Sequence, residues 1–240
     1  VAASHFRSLG HQLDTFSVTY TDNQKYFKTS KFQPTTDEPY IQMMAEFLGS
    51  NHHTFVVDNE QLALALKAAV DARDLPGMAD VDSSLLLFCE EIKKHVTVAL
   101  SGECADEIFG GYPWYRDEKI RSAYGFPWAQ TTAMRQKFLT PHLRKLIDGE
   151  AEVSARYEQA LAETDKSEGL SPKESRLREM VHLNMYWFMQ TLLTRKDRMS
   201  MYHGLEVRVP FCDHRIAEYM YSVPWEMKEY KGMEKGLLRH

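Results

Sequence analysis

Three acidic side chains lie within five consecutive positions, directly after a short apolar segment. The segment Val96–Leu100 is rich in β-branched residues, and Glu103, Asp106 and Glu107 follow it after a Ser-Gly pair. An apolar run that ends in small residues is typical of a short buried strand. The residues after the turn predict the start of a helix, and open parallel α/β sheets bind ligands at such strand ends. Three acids exceed what a helix N-terminus needs, so we expect carboxylate oxygens here to hold Mg²⁺.

The same stretch carries a family signature. Residues 101–112 resemble the pattern Ser-Gly-Glu-x-x-Asp-Glu-x-Phe-Gly-Gly-Tyr in the synthetase domain of glutamine-hydrolysing asparagine synthetases. Four further segments are similar to the same family in the same order: Thr15–Tyr20, Phe47–His53, Arg195–Met201 and Leu205–Asp213. The five segments span nearly the whole chain, which a chance match would not do.

This resemblance implies a ligase that uses ATP and Mg²⁺. In the family, the synthetase domain adenylates the side-chain carboxylate of aspartate with Mg-ATP and releases pyrophosphate. Ammonia from glutamine then attacks the acyl-adenylate to give asparagine. The implied partners are therefore aspartate, ATP, ammonia and an N-terminal glutaminase domain. Adenyl transfer depends mainly on positioning and charge neutralisation, whereas the attack of ammonia needs a positioned base.

The resemblance also implies roles for individual positions. Glu103 matches the glutamate beside the acyl-adenylate, which suits the required general base. Asp106 matches an aspartate that helps to hold Mg²⁺ and pyrophosphate. Ser101 and Gly102 suit a close approach of the nucleotide to the backbone, since glycine has no side chain in the way. The backbone of Val18 is expected to meet the adenine ring.

Arg195 has two interpretations. It matches a late-helix arginine near the family's active site, and its forked guanidinium suits a carboxylate or a phosphate. A surface salt bridge explains the residue nearly as well. Since ligands bind at strand ends, we expect Val18, Glu103 and Asp106 to surround one cleft, with Arg195 at its rim.

Parts of the family pattern are absent from the sequence. It has no Ser-Gly-Gly-x-Asp-Ser loop, which in the family binds pyrophosphate through backbone amides, and it lacks the strand before that loop and the glutaminase domain. A late lysine that the family uses on the phosphates is expected beyond His240. Because the chain begins and stops within helical patterns, we expect it to be a piece of a longer protein. A β-lactam-synthetase-like adenylating enzyme and a non-catalytic relative that lost the loop stay open as alternatives.

Composition narrows the class of protein. Hydrophobic residues make up 43% of the 240 residues and charged ones 26%, as in ordinary globular proteins. A net charge of −5 without basic clusters argues against nucleic-acid binding, and no segment is apolar enough to cross a membrane. Three cysteines without paired or metal-type spacing favour a reducing, cytoplasmic location. A homodimer is possible, and the sequence leaves the oligomeric state open.

Strand patterns occur in the first half of the chain only. The segments Leu13–Tyr20, His53–Val57 and Val96–Leu100 alternate with helical patterns, which predicts βαβ units in one parallel sheet. Later patterns are helical, including Pro172–Asp197, with a polar linker over residues 165–172. The predicted fold is therefore α/β. The resemblance implies a parallel sheet of the adenine nucleotide alpha hydrolase-like (PP-loop ATP pyrophosphatase) type over residues 1–112, followed by a mainly helical part over residues 113–240.

Overall fold

The computed structural model describes residues 2–30, 33–164 and 169–240. The chain divides into two compact units. The strand unit contains residues 1–101 and 193–208, and the helical unit contains residues 102–192 and 209–240. The predicted boundary after residue 112 stays a prediction. Part of the predicted linker over 165–172 lies outside the described residues.

The first 101 residues alternate helices and strands. In chain order these are α1 Ala2–Ser8, β1 Asp14–Tyr20, α2 Asn23–Tyr26, α3 Glu38–Leu48, β2 Asn51–Val57, α4 Asn59–Arg73, α5 Asp80–Lys93 and β3 Val98–Leu100. Local sequence sets several of these bounds. Helix α3 ends at Gly49, whose φ of 57° suits a residue without a side chain. Helix α4 begins with a capping box, in which the Asp58 carboxylate accepts from the Gln61 backbone and the Gln61 side chain accepts in return.

The described residues after position 101 form helices and one short strand. These are α6 Ala105–Phe109, α7 Glu118–Ser122, α8 Thr132–Gln136, α9 Pro141–Leu146, α10 Gly149–Ala162, α11 Pro172–Leu183, α12 Met189–Tyr202, β4 Glu206–Arg208, α13 His214–Ser222, α14 Trp225–Lys228 and α15 Gly236–Arg239. The helix predicted over 172–197 is thus two helices, joined by a π-type segment at Asn184–Phe188. Asn184 is fully buried and its side-chain amide donates to the Met180 carbonyl at 2.7 Å, where it competes with the backbone.

The strands pair in parallel, as predicted, but they do not form one sheet. Strand β1 pairs with β2 from Asp14 opposite Asn51 to Tyr20 opposite Val57. Strand β3 pairs with β4, and among the described residues it has no ladder to β1 or β2. The prediction of a single sheet for the three segments is therefore wrong. The sequence pattern also missed β4, the three-residue strand within the segment 205–213 that pairs with β3, because three residues are too few to show a strand period.

Apolar side chains of α5 and both strand pairs form the core of the strand unit. Cys89, Ile92 and Leu205 are buried together, and Phe16 of β1 and Ala99 of β3 pack against them. A second cluster joins α4, α5 and α12 through Ala69, Ala72, Leu86 and Met199. Burying a side chain of this size stabilises the fold by about 1.5–3 kcal/mol, so these contacts fix the position of β3 and the turn after it.

The helical unit has its own core, built largely from aromatic rings. Trp114 and Tyr115 are buried with Leu177, Met180 and Val181 of α11. A neighbouring cluster contains Phe126, Tyr157, Ala160 and Leu183. The rings of Tyr112 and Trp114 stack with 4.1 Å between their centroids, so the aromatic residues after Gly111 serve packing. In the ranges that the structure describes, no helix combines the length and apolar character needed to span a bilayer.

Candidate active site

Strand β3 ends in a tight turn that leads into α6. The Ser101 N–H donates to the Arg208 carbonyl at 2.9 Å and so continues the pairing of β3 with β4. Cys104 precedes α6 with a φ of 73°, and Gly110 ends it with a φ of 74°. Left-handed backbone is costly for cysteine, so the surrounding packing must hold this turn in place. The predicted order of strand, turn and helix around the acids is confirmed.

Glu107 is a buried structural acid. Only 1% of its surface is exposed, and the Tyr112 hydroxyl donates to its Oε1 at 2.6 Å. Burial raises the pKa of the Glu107 carboxyl, and the negative charges of Asp106 and Glu103 act in the same direction. The hydrogen bond from Tyr112 offsets part of that rise. Glu107 therefore ties α6 to the segment after it and is out of reach of a ligand.

Asp106 and Lys235 form an ion pair across 129 positions of sequence. The Lys235 Nζ lies 2.7 Å from the Asp106 Oδ1. The side chains are 23% exposed for Lys235 and 39% exposed for Asp106, so solvent and ligands can reach both. Lys235 immediately precedes α15 with a φ of 52°. A carboxylate and an ammonium are thus held together beside the start of α6.

Gly111 makes this ion pair sterically possible. A Cβ at position 111 would lie 1.7 Å from the Asp106 Oδ1 and 3.0 Å from the Lys235 Cδ. The Gly111 N–H also donates to the Asp106 carbonyl at 2.9 Å. No methyl group fits there unless the Asp106 carboxylate moves, so the second glycine of the Gly-Gly pair is required by the ion pair.

Arg116 holds the backbone after α6. Its guanidinium donates to the carbonyl of Gly110 at 3.1 Å and to that of Tyr112 at 3.3 Å. Its Nε also lies 3.1 Å from the Glu229 Oε1. These bonds connect the turn at Gly110 to the segment that carries Lys235, which supports the geometry of the ion pair.

Two of these residues escaped the sequence analysis. A late lysine was expected only beyond His240, yet Lys235 already reaches Asp106 within the chain. Its signal was a lone Lys in the Glu-Lys-Gly-Leu-Leu-Arg segment, which is ordinary for a helix start. Arg116 lies in an aromatic segment and donates to backbone carbonyls. Every residue has a backbone carbonyl, so residue types cannot indicate such a contact.

Glu103 and the cysteine beside it complete the turn. Glu103 is half-buried, and its charge raises the pKa of the Glu107 carboxyl, which places it near the other two acids. The Cys104 thiol is 3% exposed and shares a hydrogen bond with the Cys212 thiol. Burial, followed by that bond, raises the pKa of Cys104. A buried, protonated thiol is a poor nucleophile, so the turn offers carboxylate chemistry.

The predicted site residues fall into both units. Gly102, Glu103 and Asp106 belong to the helical unit, and Gly102 has open space where a side chain would be. Val18, Ser101 and Arg195 belong to the strand unit. Only the first three are brought together within one unit, and the cleft that was expected to join all of them stays a prediction.

Val18 lines a cavity of about 520 Å³ in the strand unit. The cavity lies against the last residues of β1 and against α3, whose Glu38 also lines it. Hydrogen bonds from Asn23 and from Thr19 help to lower the pKa of Glu38 to about 2, so this wall carries a negative charge. Half-buried Val18 pairs with Phe55 of β2, which fixes its backbone at this wall.

The donor set suits phosphate and a hard cation. An ammonium binds phosphate oxygens as a point charge, and a carboxylate oxygen is a ligand that Mg²⁺ prefers. Across the described ranges, no group of three or more His, Cys, Asp or Glu residues is arranged to hold a metal ion. Mg²⁺ shared with substrate phosphates needs only one or two protein carboxylates, and the accessible Asp106 fits that need.

Comparison with known proteins gives a consistent result. The family model described as Asparagine synthase matches residues 1–240. The chain is 51% identical over 240 residues to asparagine synthetase (glutamine-hydrolyzing) 3 of Bacillus subtilis strain 168, covering 100% of this chain and 39% of that protein. It is 32% identical over 225 residues to asparagine synthetase (glutamine-hydrolyzing) 1 of the same organism, covering 81% of the chain and 35% of that protein.

A mammalian relative matches as well. The chain is 27% identical over 234 residues to asparagine synthetase (glutamine-hydrolyzing) of Mesocricetus auratus, covering 95% of the chain and 30% of that protein. This chain therefore spans between 30% and 39% of the length of these three relatives.

Proposed function

We propose, on the premise that this chain belongs to the asparagine synthase family, that it carries the aspartate-activating part of a glutamine-hydrolysing asparagine synthetase. In the whole protein, the side-chain carboxylate of aspartate attacks the α-phosphate of ATP, and pyrophosphate leaves. Ammonia released from glutamine then displaces AMP from the acyl-adenylate to give asparagine. The glutaminase domain that supplies the ammonia belongs to the remainder of the protein.

One observation carries this proposal: the Asp106–Lys235 ion pair beside Glu103. The Lys235 ammonium lies 2.7 Å from a carboxylate that is 39% exposed, so a phosphate oxygen can compete for it. Phosphate binds cations through charge-assisted hydrogen bonds, which are stronger than neutral ones. The ion pair therefore positions a cation for the pyrophosphate group and a carboxylate oxygen for Mg²⁺, which neutralises phosphate charge when bound.

The remaining roles follow from chemistry and position. Glu103 takes the proton from the nitrogen as ammonia adds to the acyl-adenylate, a general-base role that a positioned carboxylate can fill. The backbone at Ser101 and Gly102 receives the nucleotide, since no atom lies within 4 Å of a Cβ built at Gly102. Val18 contributes backbone to the adenine site, and Arg195 contributes a guanidinium to a carboxylate or phosphate. Three cysteines without paired spacing support a cytoplasmic location.

The test uses the full-length protein that contains this chain. Glu103→Ala is expected to abolish asparagine formation while glutamine hydrolysis continues, because the two reactions belong to different domains. Glu118→Ala, which removes an exposed acid at the start of α7, is the matched control and should leave both activities unchanged. Asparagine formation by the Glu103 variant at the normal rate would show that this acid is structural.

The role of Lys235 in binding the phosphates of ATP is tested by substitution. Lys235→Met should raise the KM for ATP and slow the adenylation step, measured as exchange of labelled pyrophosphate into ATP. Loss of one charge-assisted hydrogen bond worth about 1.5–3 kcal/mol corresponds to about a tenfold to hundredfold effect. An unchanged exchange rate would contradict the role in phosphate binding that the proposal gives to the Asp106–Lys235 ion pair.

A further inference from the structure

A small cavity in the helical unit has the character of an anion site. It has a volume of about 160 Å³ and lies between α11 and the segment that joins α13 to α14. Its apolar wall includes Leu177, Val181 and Trp225, and its polar wall includes Ser222 and Lys228. The site is remote in sequence from the acids of α6 and shares none of the residues assigned above.

Lys228 is a buried cation to which the described ranges supply no counter-ion. It is only 3% exposed, and within the ranges that the structure describes its ammonium has no ion pair and no hydrogen bond. Burial, together with the positive charge of Arg178, lowers the pKa of Lys228 to about 8. A buried charge without a partner strongly disfavours the folded state, so an anion that reached Lys228 would relieve that cost.

Two nearby carboxylates in the described ranges accept hydrogen bonds from other donors. Glu174 also lines the cavity, but its Oε2 accepts from the Ser171 backbone at 3.1 Å and from the Ser171 hydroxyl at 2.6 Å, which caps α11. Glu229 follows Lys228 in sequence, and it accepts from the Trp225 indole at 3.2 Å and pairs with Arg116 at 3.1 Å. Neither acid neutralises Lys228.

A second basic residue, Arg178, also lines the cavity. Arg178 lies on α11, and its guanidinium carbon is 4.4 Å from the centre of the Tyr221 ring. Arg178 and Tyr221 both line the cavity. Two basic residues, Ser222, Tyr221 and an apolar wall thus surround a space large enough for a small organic molecule.

We propose that this cavity binds a small carboxylate whose apolar body packs on Leu177, Val181 and Trp225 while its carboxylate pairs with Lys228. The hydroxyl of Ser222 can donate to the same carboxylate. An inorganic anion such as phosphate fits less well, because it needs many donors and offers nothing to the apolar wall. The site adds a ligand beyond those of the proposed asparagine synthesis.

Nuclear magnetic resonance of the 240-residue chain tests this directly. The chain has four tryptophans, and the indole cross-peak of Trp225 is identified with a Trp225→Phe variant. Isobutyrate should shift the Trp225 indole peak in a saturable manner and leave the other three unchanged. Isobutyramide supplies the same body without the charge, inorganic phosphate supplies charge without the body, and sodium chloride matches the ionic strength. Neither the amide nor the salt should shift the peak, and phosphate should do so only at higher concentration.

Two variants separate the site from non-specific binding. Lys228→Met should weaken isobutyrate binding about tenfold to a hundredfold, the value of one charge-assisted hydrogen bond. It should also raise the melting temperature of the free chain, because it removes an uncompensated buried charge. Lys173→Met, which removes an exposed lysine of α11, should change neither quantity. Equal shifts with isobutyramide, saturation by phosphate at lower concentration than by isobutyrate, or unchanged binding in the Lys228 variant would overturn the proposal.

Discussion

Replacing Gly111 by alanine is the sharpest test of how the Asp106–Lys235 pair is built. The new Cβ would lie 1.7 Å from the Asp106 Oδ1, far inside van der Waals contact, so the carboxylate must leave its position. Forcing a methyl group into a packed site costs about 1–3 kcal/mol. Losing a partly exposed ion pair adds up to about 1 kcal/mol. We therefore expect Gly111→Ala to lower the free energy of unfolding by about 1–4 kcal/mol.

Gly102→Ala is the matched control, because nothing lies within 4 Å of a Cβ built at that position. An alanine that fits without strain leaves stability unchanged or raises it by about 0.4–1 kcal/mol through the unfolded state. Urea unfolding followed by tryptophan fluorescence gives both free energies by linear extrapolation. The two alanines are one methyl group each, so the difference between them isolates the contact with Asp106.

A double-mutant cycle then assigns the cost to Asp106. In an Asp106→Ala background the obstructing carboxylate is gone, and Gly111→Ala should cost less than about 1 kcal/mol. The steric account is refuted if Gly111→Ala costs no more than Gly102→Ala. It is equally refuted if the cost in the Asp106→Ala background matches the cost with Asp106 present.

Three further predictions concern buried charges. Tyr112→Phe should lower the free energy of unfolding by about 1–3 kcal/mol, since the Glu107 carboxyl loses its hydroxyl donor. The same substitution made in a Glu107→Gln background should have a different cost, which thermal unfolding measures. Asp82→Ala should lower the free energy of unfolding by about 3–5 kcal/mol in urea. In the unsubstituted chain the nearly buried Arg73 guanidinium lies 3.4 Å from the Asp82 carboxylate, and the substitution removes that partner. Lys228 has a lower pKa folded (about 8) than its ordinary 10.5, so its contribution to stability should rise with pH between these values by on the order of 3 kcal/mol. The raised pKa of Cys104 acts in the opposite direction, so the rise is measured as the difference between the unsubstituted chain and Lys228→Met. A Lys228→Met variant should lack this rise, and a curve identical to that of the unsubstituted chain would contradict the assignment.

The sequence by itself determined the local elements and the family. β-branched runs with small residues at their ends predicted β1, β2 and β3 to within two residues, because strand pattern and turn chemistry act over short distances. The Ser-Gly-Glu turn predicted where α6 begins, and five segments in order indicated the family that the comparison supports. Glycine in left-handed positions, as at Gly49 and Gly110, follows from the same local rules.

Only the tertiary structure decided which distant residues meet. Strand β4 pairs with β3 across more than a hundred residues of sequence. A three-residue strand is too short to show the alternation of apolar and polar residues from which strands are predicted. Residue type and spacing do not show which of Glu103, Asp106 and Glu107 is buried, yet packing buries Glu107 beside Tyr112 and leaves Asp106 accessible to Lys235. A charge acquires its role from the dielectric and the partners around it, and these depend on chain segments far away in sequence.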